Sequence, residues 1–345
     1  MKRINNLYEK IISLDNLRLA DEKARRGKVK SYGVRFHDQN REANILALHE
    51  TLKNHSFKNS EYETFLIYEP KEREIFRLPY YPDRILHHAI MNVLEPIWVS
   101  IFTSDTYSCI KKRGIHGAMR KVKLAMKDRE NTRYCLKIDI KKFYPSIDHD
   151  VLKSIIRRKI KCKETLALLD EIIDSAAGVP IGNYLSQYFA NLYLAYFDHW
   201  IKEVKHVKYY FRYADDMVFL SSSKEELHAL LNDIKEYLKG LKLTLKGNEQ
   251  VFPIGENRND RHGRGLDFVG FIFYHKQTLI RKGIKKNFCR AAARWNKKPN
   301  IKLETYRQAL CSWFGWAKYS NSRNLLRTII KPEFYDTCAL RQQAA

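Results

Sequence analysis

The chain has 345 residues with 63 Lys and Arg against 39 Asp and Glu, a formal net charge of +24, and an apolar fraction of 44%. That length buries a core shared by two or three structural units, and the charge calls for a polyanionic partner, nucleic acid first, because neutralised phosphates release counterions and give sequence-independent affinity. With no apolar run of about eighteen residues and no signal-peptide pattern, a cytoplasmic protein without a membrane partner is expected, and six scattered cysteines with no C-x-x-C pair argue against a zinc cluster or a disulfide framework.

From Leu7 to Glu50 the pattern is helical and strongly charged, with "DEKARRGKVK" as a basic exposed turn between helices. "YETFLIYEPKEREIFRLPYY" predicts two short strands around a basic turn, and "PDRILHHAIMNVLEPIWVSIF" a long helix opened by Pro82 and Asp83. "YCLKIDIKKFYPSID" is a strand running into a turn, Asp148 to about Ser175 is helical, and "GVPIGNYLSQYFANLYLAYFDHWIK" is a Gly/Pro loop entering a long aromatic helix. "YYFRYADDMVFLS" places two acids between strand-forming runs, which predicts a hairpin with Ala214, Asp215 and Asp216 at its tip. A helix follows, with Ser223 and Glu226 fitting a capping box, and then "LKLTLKGNEQVFPIG" and "LDFVGFIFYHKQTLIRK" return to strand.

From Arg281 to the end there are fifteen Lys/Arg against three acids, interleaved with Trp295, Trp313, Phe314, Trp316 and Tyr319. Half of the excess charge therefore sits on a helical terminal module. Arg281, Lys282, Lys285, Lys286, Trp313 and Trp316 are its candidate nucleic-acid contacts. A basic solvated face over an aromatic core would read the same way.

An acidic turn between strands is commonplace. A third acid, Asp139, ends another strand, and if that strand pairs beside the hairpin, Asp139, Asp215 and Asp216 converge. Three carboxylates in one place repel unless cations are bound, and hard oxygen ligands suit Mg²⁺. A pair of ions about 3.5 to 4 Å apart activates an attacking hydroxyl and stabilises the leaving group of a phosphoryl transfer. Nucleases and polymerases both use such parts.

The same residues carry a family resemblance. "FRYADDMVFL" resembles the catalytic hairpin of reverse transcriptases, and "KIDIKKFYPSID" resembles their first metal-binding motif. The order of "PDRILHHAIMNVLEPI", "YSCIKKRGIHGAM", "GVPIGNYLSQYFANLYL" and "LDFVGF" around them is similar too, from about Tyr68 to "SWFGWAKYSNSRNLL". The resemblance implies an α+β right-hand polymerase fold: fingers over 1–130 with an N-terminal helical extension, a palm of antiparallel sheet on helices over 131–278, and a basic helical thumb over 279–345.

It also implies roles. Asp139 and Asp215 would bridge two Mg²⁺ ions, with Mn²⁺ as a substitute, supported by Asp216 and the Ile140 carbonyl. Tyr144, beside Phe143, matches the aromatic gate that collides with a ribose 2′-hydroxyl, which favours dNTP substrates. Lys71, Arg73 and Arg77 are candidates for the triphosphate, and which of them reaches it stays open. Ile110 stands where relatives carry Arg, so Lys111, Lys112 or Arg113 would cover that contact. Lys246 is a candidate general acid toward pyrophosphate, with a plain solvated lysine as the alternative.

Where most bacterial reverse transcriptases read Q-G-x-x-x-S-P, this chain reads "IGNYLSQ", with Ile181 for Gln and Gln187 for Pro. That double change resembles the reverse transcriptases of diversity-generating retroelements. An apolar contact to the nascent base pair discriminates less than a hydrogen-bonded one, so Ile181 implies low fidelity, in that family at template adenine. The resemblance further implies a template RNA, an RNA/cDNA duplex and a small helical oligomeric accessory variability protein as partners. The alternative is another bacterial reverse transcriptase (retron, intron-derived or phage-defence type) of ordinary fidelity.

Overall fold

The computed structural model describes residues 3–68 and 72–340, with side chains described through residue 336; Lys71, a candidate triphosphate contact, lies outside the described residues. In chain order, α1 (Tyr8–Ile12), α2 (Leu14–Ala24), α3 (Tyr32–Asp38) and α4 (Arg41–Lys53) precede β1 (Glu63–Ile67) and β2 (Arg73–Arg77). Next come α5 (Ile85–Val99), α6 (Gly114–Ala125), β3 (Tyr134–Asp139), α7 (His149–Arg157), α8 (Lys163–Asp174), α9 (Ser186–Tyr193) and α10 (Ala195–His199). β4 (Tyr209–Tyr213), β5 (Asp216–Ser221), α11 (Lys224–Gly240) and β6 (Gln250–Pro253) follow. The chain closes with β7 (Leu266–Phe268), β8 (Phe271–Phe273), β9 (Thr278–Ile280), α12 (Lys282–Asn296), α13 (Leu303–Lys318), α14 (Arg323–Ile329) and α15 (Pro332–Leu340). Sheets and helices alternate irregularly, and among the described residues every pair of these strands is antiparallel, an α+β arrangement.

Several boundaries differ from the sequence pattern. Tyr81 is extended (φ −112°, ψ 135°), as the residue before a proline prefers, and a helical turn from Pro82 runs directly into α5, where the sequence opens the helix. Asp83 does not cap it; its buried carboxylate accepts the Ser60 amide at 3.0 Å. The helical span from Asp148 breaks into α7 and α8 where Ile160 bridges Ile4, and the aromatic helix breaks at Leu194 (φ −100°, ψ 1°). At the start of α11, Ser223 Oγ accepts the Glu226 amide as expected, but the Glu226 carboxylate takes the Ser221 hydroxyl. Only half of the capping box forms.

The chain forms two compact units. The first takes the described residues of 1–109, 140–206 and 234–246. Its core includes Leu17, Ala20, Leu86, Ala89 and Ile90, all fully buried on α2 and α5, and the Asn16 side chain ties these helices by donating to the carbonyls of Ile11 and Ala89. β1 and β2 form an isolated two-stranded ribbon whose β1 residues are all exposed.

The second unit takes the described residues of 110–139, 207–233 and 247–345. It holds a four-stranded sheet in the order β4-β5-β3-β6 and a three-stranded sheet β7-β8-β9. Cys135, Leu136, Met217, Val218 and Phe219 have no exposure, so β3 and β5 are covered on both faces. Its terminal helices share a core around Phe288, Tyr306 and Leu310. Truncating a fully buried aromatic such as Phe288 costs about 3 to 5 kcal/mol.

Candidate active site

The ladder decides where the acids go. β3 pairs with β5 so that Asp139, its last residue, lies directly opposite Asp216, the first residue of β5. Tyr213 also pairs with Asp216, leaving Ala214 and Asp215 alone as a two-residue turn. The hairpin tip is thus one residue shorter than the sequence suggested. Ala214 adopts φ 56°, the positive value that tight two-residue hairpins require at the first turn position. Because Asp215 sits in the turn, the alternation that would send it to the opposite face from Asp216 does not apply.

The electrostatics are those of crowded acids. Burial pushes Asp215 up to about 6, and the Asp139 charge beside it adds to the rise. Burial also pushes Asp216 up to about 6, against the pull of Lys137. Lys137 Nζ lies 3.4 Å from Asp216 Oδ1, an oxygen that accepts no hydrogen bond, and the same ammonium donates to the Asp267 carbonyl. Arg281, expected on the nucleic acid, pairs with the Asp267 carboxylate, Nε to Oδ1 2.6 Å. Arg212, fully buried, donates to the Ala214 carbonyl at 3.2 Å and braces the turn.

Among the described residues no group of three or more His, Cys, Asp or Glu is already disposed as a cage for a metal ion. The donor set nonetheless fits a hard cation: Asp215 and Asp216 held above their ordinary range by burial, with the Asp139 charge adding to the rise, and a buried Asp216 oxygen with no hydrogen bond.

The first unit carries several of the other candidates. Phe143 is buried and packs edge-on against Tyr144, whose ring is the more exposed of the two. The Tyr144 carbonyl accepts the Val179 amide at 2.9 Å, which pins the loop leading to Ile181. Ile181 is half-buried and its carbonyl accepts the Phe76 amide of β2 at 2.8 Å. Next to it, Gly182 has φ 115°, and a Cβ there would meet the Phe76 carbonyl oxygen at 2.5 Å. Only glycine lets β2 come so near. Gln187 is exposed on α9, Arg73 and Arg77 are exposed on β2, Arg77 pairs with Glu63 at 3.6 Å, and Lys246 is exposed.

In the second unit Arg113 is half-buried at the start of α6, and Lys282, Lys285 and Lys286 are exposed on α12. Trp313 and Trp316 are half-buried against the core of this unit. Trp313 stacks on Phe288 with centroids 5.8 Å apart, and Trp316 packs on Phe271 at 5.0 Å and against Gly270. Both rings belong to the apolar side of α13, because a helix interleaving basic and aromatic residues turns the two kinds to different faces.

Lys137, Arg212 and Asp267 were missed from sequence. The signal for Lys137 was present in "LKID": residues two apart on a strand share a face, so Lys137 accompanies Asp139. Arg212 and Asp267 had no such signal, since their partners come from the turn and from another strand.

A family model described as reverse transcriptase (RNA-dependent DNA polymerase) matches residues 70–252. The chain is 27% identical over 265 residues to Protein YkfC of Escherichia coli (strain K12), covering 63% of this chain and 66% of YkfC. It is 26% identical over 199 residues to Group II intron-encoded protein LtrA of Lactococcus lactis subsp. cremoris, covering 53% of this chain and 31% of LtrA. It thus spans just under two thirds and under one third of these relatives. A solved structure of apo telomerase from Candida tropicalis matches with a TM-score of 0.48 at 14% identity, covering 79% of this chain and 58% of that one. The α+β class and right-hand polymerase fold expected from the sequence are borne out. No helix among the described residues is long and apolar enough to cross a membrane. With more than half of its length inside the family model, the chain belongs to the reverse transcriptases (RNA-dependent DNA polymerases).

Proposed function

We propose that this chain is an RNA-directed DNA polymerase that adds dNTPs to a primer on an RNA template, acting in the cytoplasm. The observation that carries the reading is the placement of Asp139 opposite Asp216 with Asp215 in the adjoining turn, in a chain of this family. Asp139, Asp215, Asp216 and the Ile140 carbonyl would hold two Mg²⁺ ions, or Mn²⁺ in their place. Bound there, such ions act as Lewis acids that activate the primer hydroxyl and stabilise the departing pyrophosphate. The protein's own contribution is placement: the β3–β5 ladder aligns the acids, Arg212 braces the turn, and Lys137 supplies charge beside Asp216. Tyr144 would exclude the ribose 2′-hydroxyl, cations of the β1–β2 ribbon would hold the triphosphate, and Lys246 would face the leaving pyrophosphate. Residues 1–130, 131–278 and 279–345 would serve as fingers, palm and thumb, with Lys282, Lys285 and Lys286 on the duplex phosphates.

Within the family we favour the error-prone enzyme of a diversity-generating retroelement, which copies a template-repeat RNA into adenine-mutagenised cDNA together with an accessory variability protein. Ile181 and Gln187 support this reading, since an apolar side chain at the Ile181 position checks base-pair geometry weakly. The similarity to a group II intron-encoded protein favours a second reading, an intron-derived enzyme of ordinary fidelity.

Sequencing the DNA made on a defined RNA template with Mg²⁺ and four dNTPs tests both. Errors concentrated at template adenine in the wild type and reduced in Ile181→Gln support the retroelement enzyme. Faithful DNA supports the second reading, and DNA synthesis undiminished in Asp215→Asn defeats the catalytic assignment.

A further inference from the structure

α7 begins at His149, yet its N-terminus is capped without that ring, because the Asp148 carboxylate accepts the Val151 amide at 3.0 Å. The half-buried imidazole reaches instead to the end of α8 and the loop that follows it. Its Nε2 lies 2.8 Å from the Gly178 carbonyl oxygen, and its Nδ1 3.1 Å from Oδ1 of Asp174, the last residue of α8. A carbonyl only accepts, so Nε2 carries the hydrogen and donates it. Lys153, one turn along α7, donates to the other Asp174 oxygen at 2.6 Å. α7 therefore holds both the end of α8 and the loop beyond it.

The same glycine bears on Tyr144, and all of these residues lie in the first unit. Gly178 has φ 61°, and a Cβ there would meet the Pro145 carbonyl oxygen at 2.6 Å and the Tyr144 carbonyl oxygen at 2.7 Å. Only glycine allows the two backbones to lie so close. The next residue, Val179, donates its amide to the Tyr144 carbonyl at 2.9 Å. Tyr144 itself opens a single 3₁₀ turn, Tyr144–Ser146. So short a turn has poor internal hydrogen bonding and takes its position from what it leans on. Here that support is the backbone of Gly178 and Val179, and His149 fixes the support.

We propose that His149 is a positioning residue for sugar selection. Through the Gly178 carbonyl it holds the loop 175–179 against the backbone of Tyr144, and so sets how closely that ring stands to the 2′ position of an incoming nucleotide. The inference rests on the reading of Tyr144 as the gate of an RNA-directed DNA polymerase. His149 acts through Gly178 rather than on the nucleotide. A steric gate works by a clash of atomic dimensions, and it admits the hydroxyl once its backbone can yield by a fraction of an ångström. Loss of the tie loosens the gate without removing it.

The test measures kcat/KM for adding one dNTP and the matching rNTP to a primer on an RNA template, in the wild type, His149→Ala, His149→Gln and Tyr144→Ala. The preference for dNTP should fall about tenfold in His149→Ala, within what a misplacement below 1 Å costs, and further in Tyr144→Ala. His149→Gln should recover most of the preference, since its side-chain amide can donate to the Gly178 carbonyl. Hydrogen exchange read without nucleotide should show the Val179 amide exchanging faster in His149→Ala than in the wild type or His149→Gln. Thermal melting checks that the variants fold. Unchanged exchange at Val179, or faster exchange with an unchanged sugar preference, overturns the role of His149. A preference moved by Tyr144→Ala and not by His149→Ala overturns this proposal alone, whereas one unmoved by Tyr144→Ala overturns the gate reading and the proposal with it.

Discussion

Lys137 and Asp216 meet diagonally across the β3–β5 ladder, Nζ 3.4 Å from Oδ1, and the ammonium stands where a cation would be wanted. It lowers the cost of ionising Asp216 but repels a further cation, which it must share the oxygen with. Lys137→Met should therefore tighten Mg²⁺ binding to the chain at pH 8 several-fold, measured calorimetrically without substrate. Weaker binding in the variant would mean that Lys137 serves chiefly to place the carboxylate.

Asp215→Asn separates catalysis from stability. Burial and the neighbouring Asp139 charge make ionised Asp215 unfavourable in the free protein, so the amide should melt at the same temperature or higher. Primer extension should fall by about a thousand-fold or more, some 4 kcal/mol of transition-state stabilisation. Calorimetric melting and single-nucleotide extension read the two effects independently, and a strongly destabilised variant would contradict the assignment of strain to this acid.

Gly182→Ala puts a methyl group 2.5 Å from the Phe76 carbonyl at a backbone angle of φ 115°. A loss of about 2 to 3 kcal/mol is expected on urea unfolding, since backbone cannot move aside as a flexible side chain can. The displacement falls on the bond between the Ile181 carbonyl and the Phe76 amide. Altered misincorporation should accompany the lost stability.

The β7–β8 hairpin stores strain of another kind. Its two-residue turn is Val269 and Gly270, with φ 44° and 86°. Two positive angles define the type I′ turn, which suits Asn-Gly and penalises a β-branched residue. Val269→Asn should raise stability by about 1 kcal/mol, read as a higher urea midpoint at unchanged slope.

Acid sensitivity should arise in α5. Burial holds His87 down to about 3 and His88 down to about 4, against an ordinary 6.5. Above pH 6.5 neither state takes a proton; as pH falls from 6.5 toward 3, the unfolded chain binds protons that the folded chain refuses. Stability is lost across that window, by about 1 kcal/mol per pH unit for each histidine. Urea midpoints between pH 7 and pH 5 should fall less steeply in His87→Gln than in the wild type.

Much of the fold was legible because it is locally encoded. The charged N-terminal helices, the β1–β2 ribbon, the strand ending at Asp139 and the YADD hairpin each follow from side-chain period and turn chemistry. Boundaries were lost where a distant partner intervenes, as at Ile160, which leaves the helix to bridge Ile4, and at Asp83, whose carboxylate goes to the Ser60 amide instead of a cap. The ring contacts of Trp313 and Trp316 were not legible for a related reason. Composition gives the residues of a helix, and only packing shows which of them face Phe288 and Phe271.

By itself the sequence determined the excess of positive charge, the strand ending at Asp139, the hairpin that carries Asp215 and Asp216, and the family, because charge, periodicity and motif order are properties of the chain alone. The tertiary structure decided the register that sets Asp139 against Asp216 and brings Lys137 within reach of its carboxylate. It also decided the approach of β2 to Gly182, and the tie from His149 through Gly178 to Tyr144. Each of these relations joins residues far apart in sequence, and their distances are set by how buried surfaces pack rather than by any pattern along the chain.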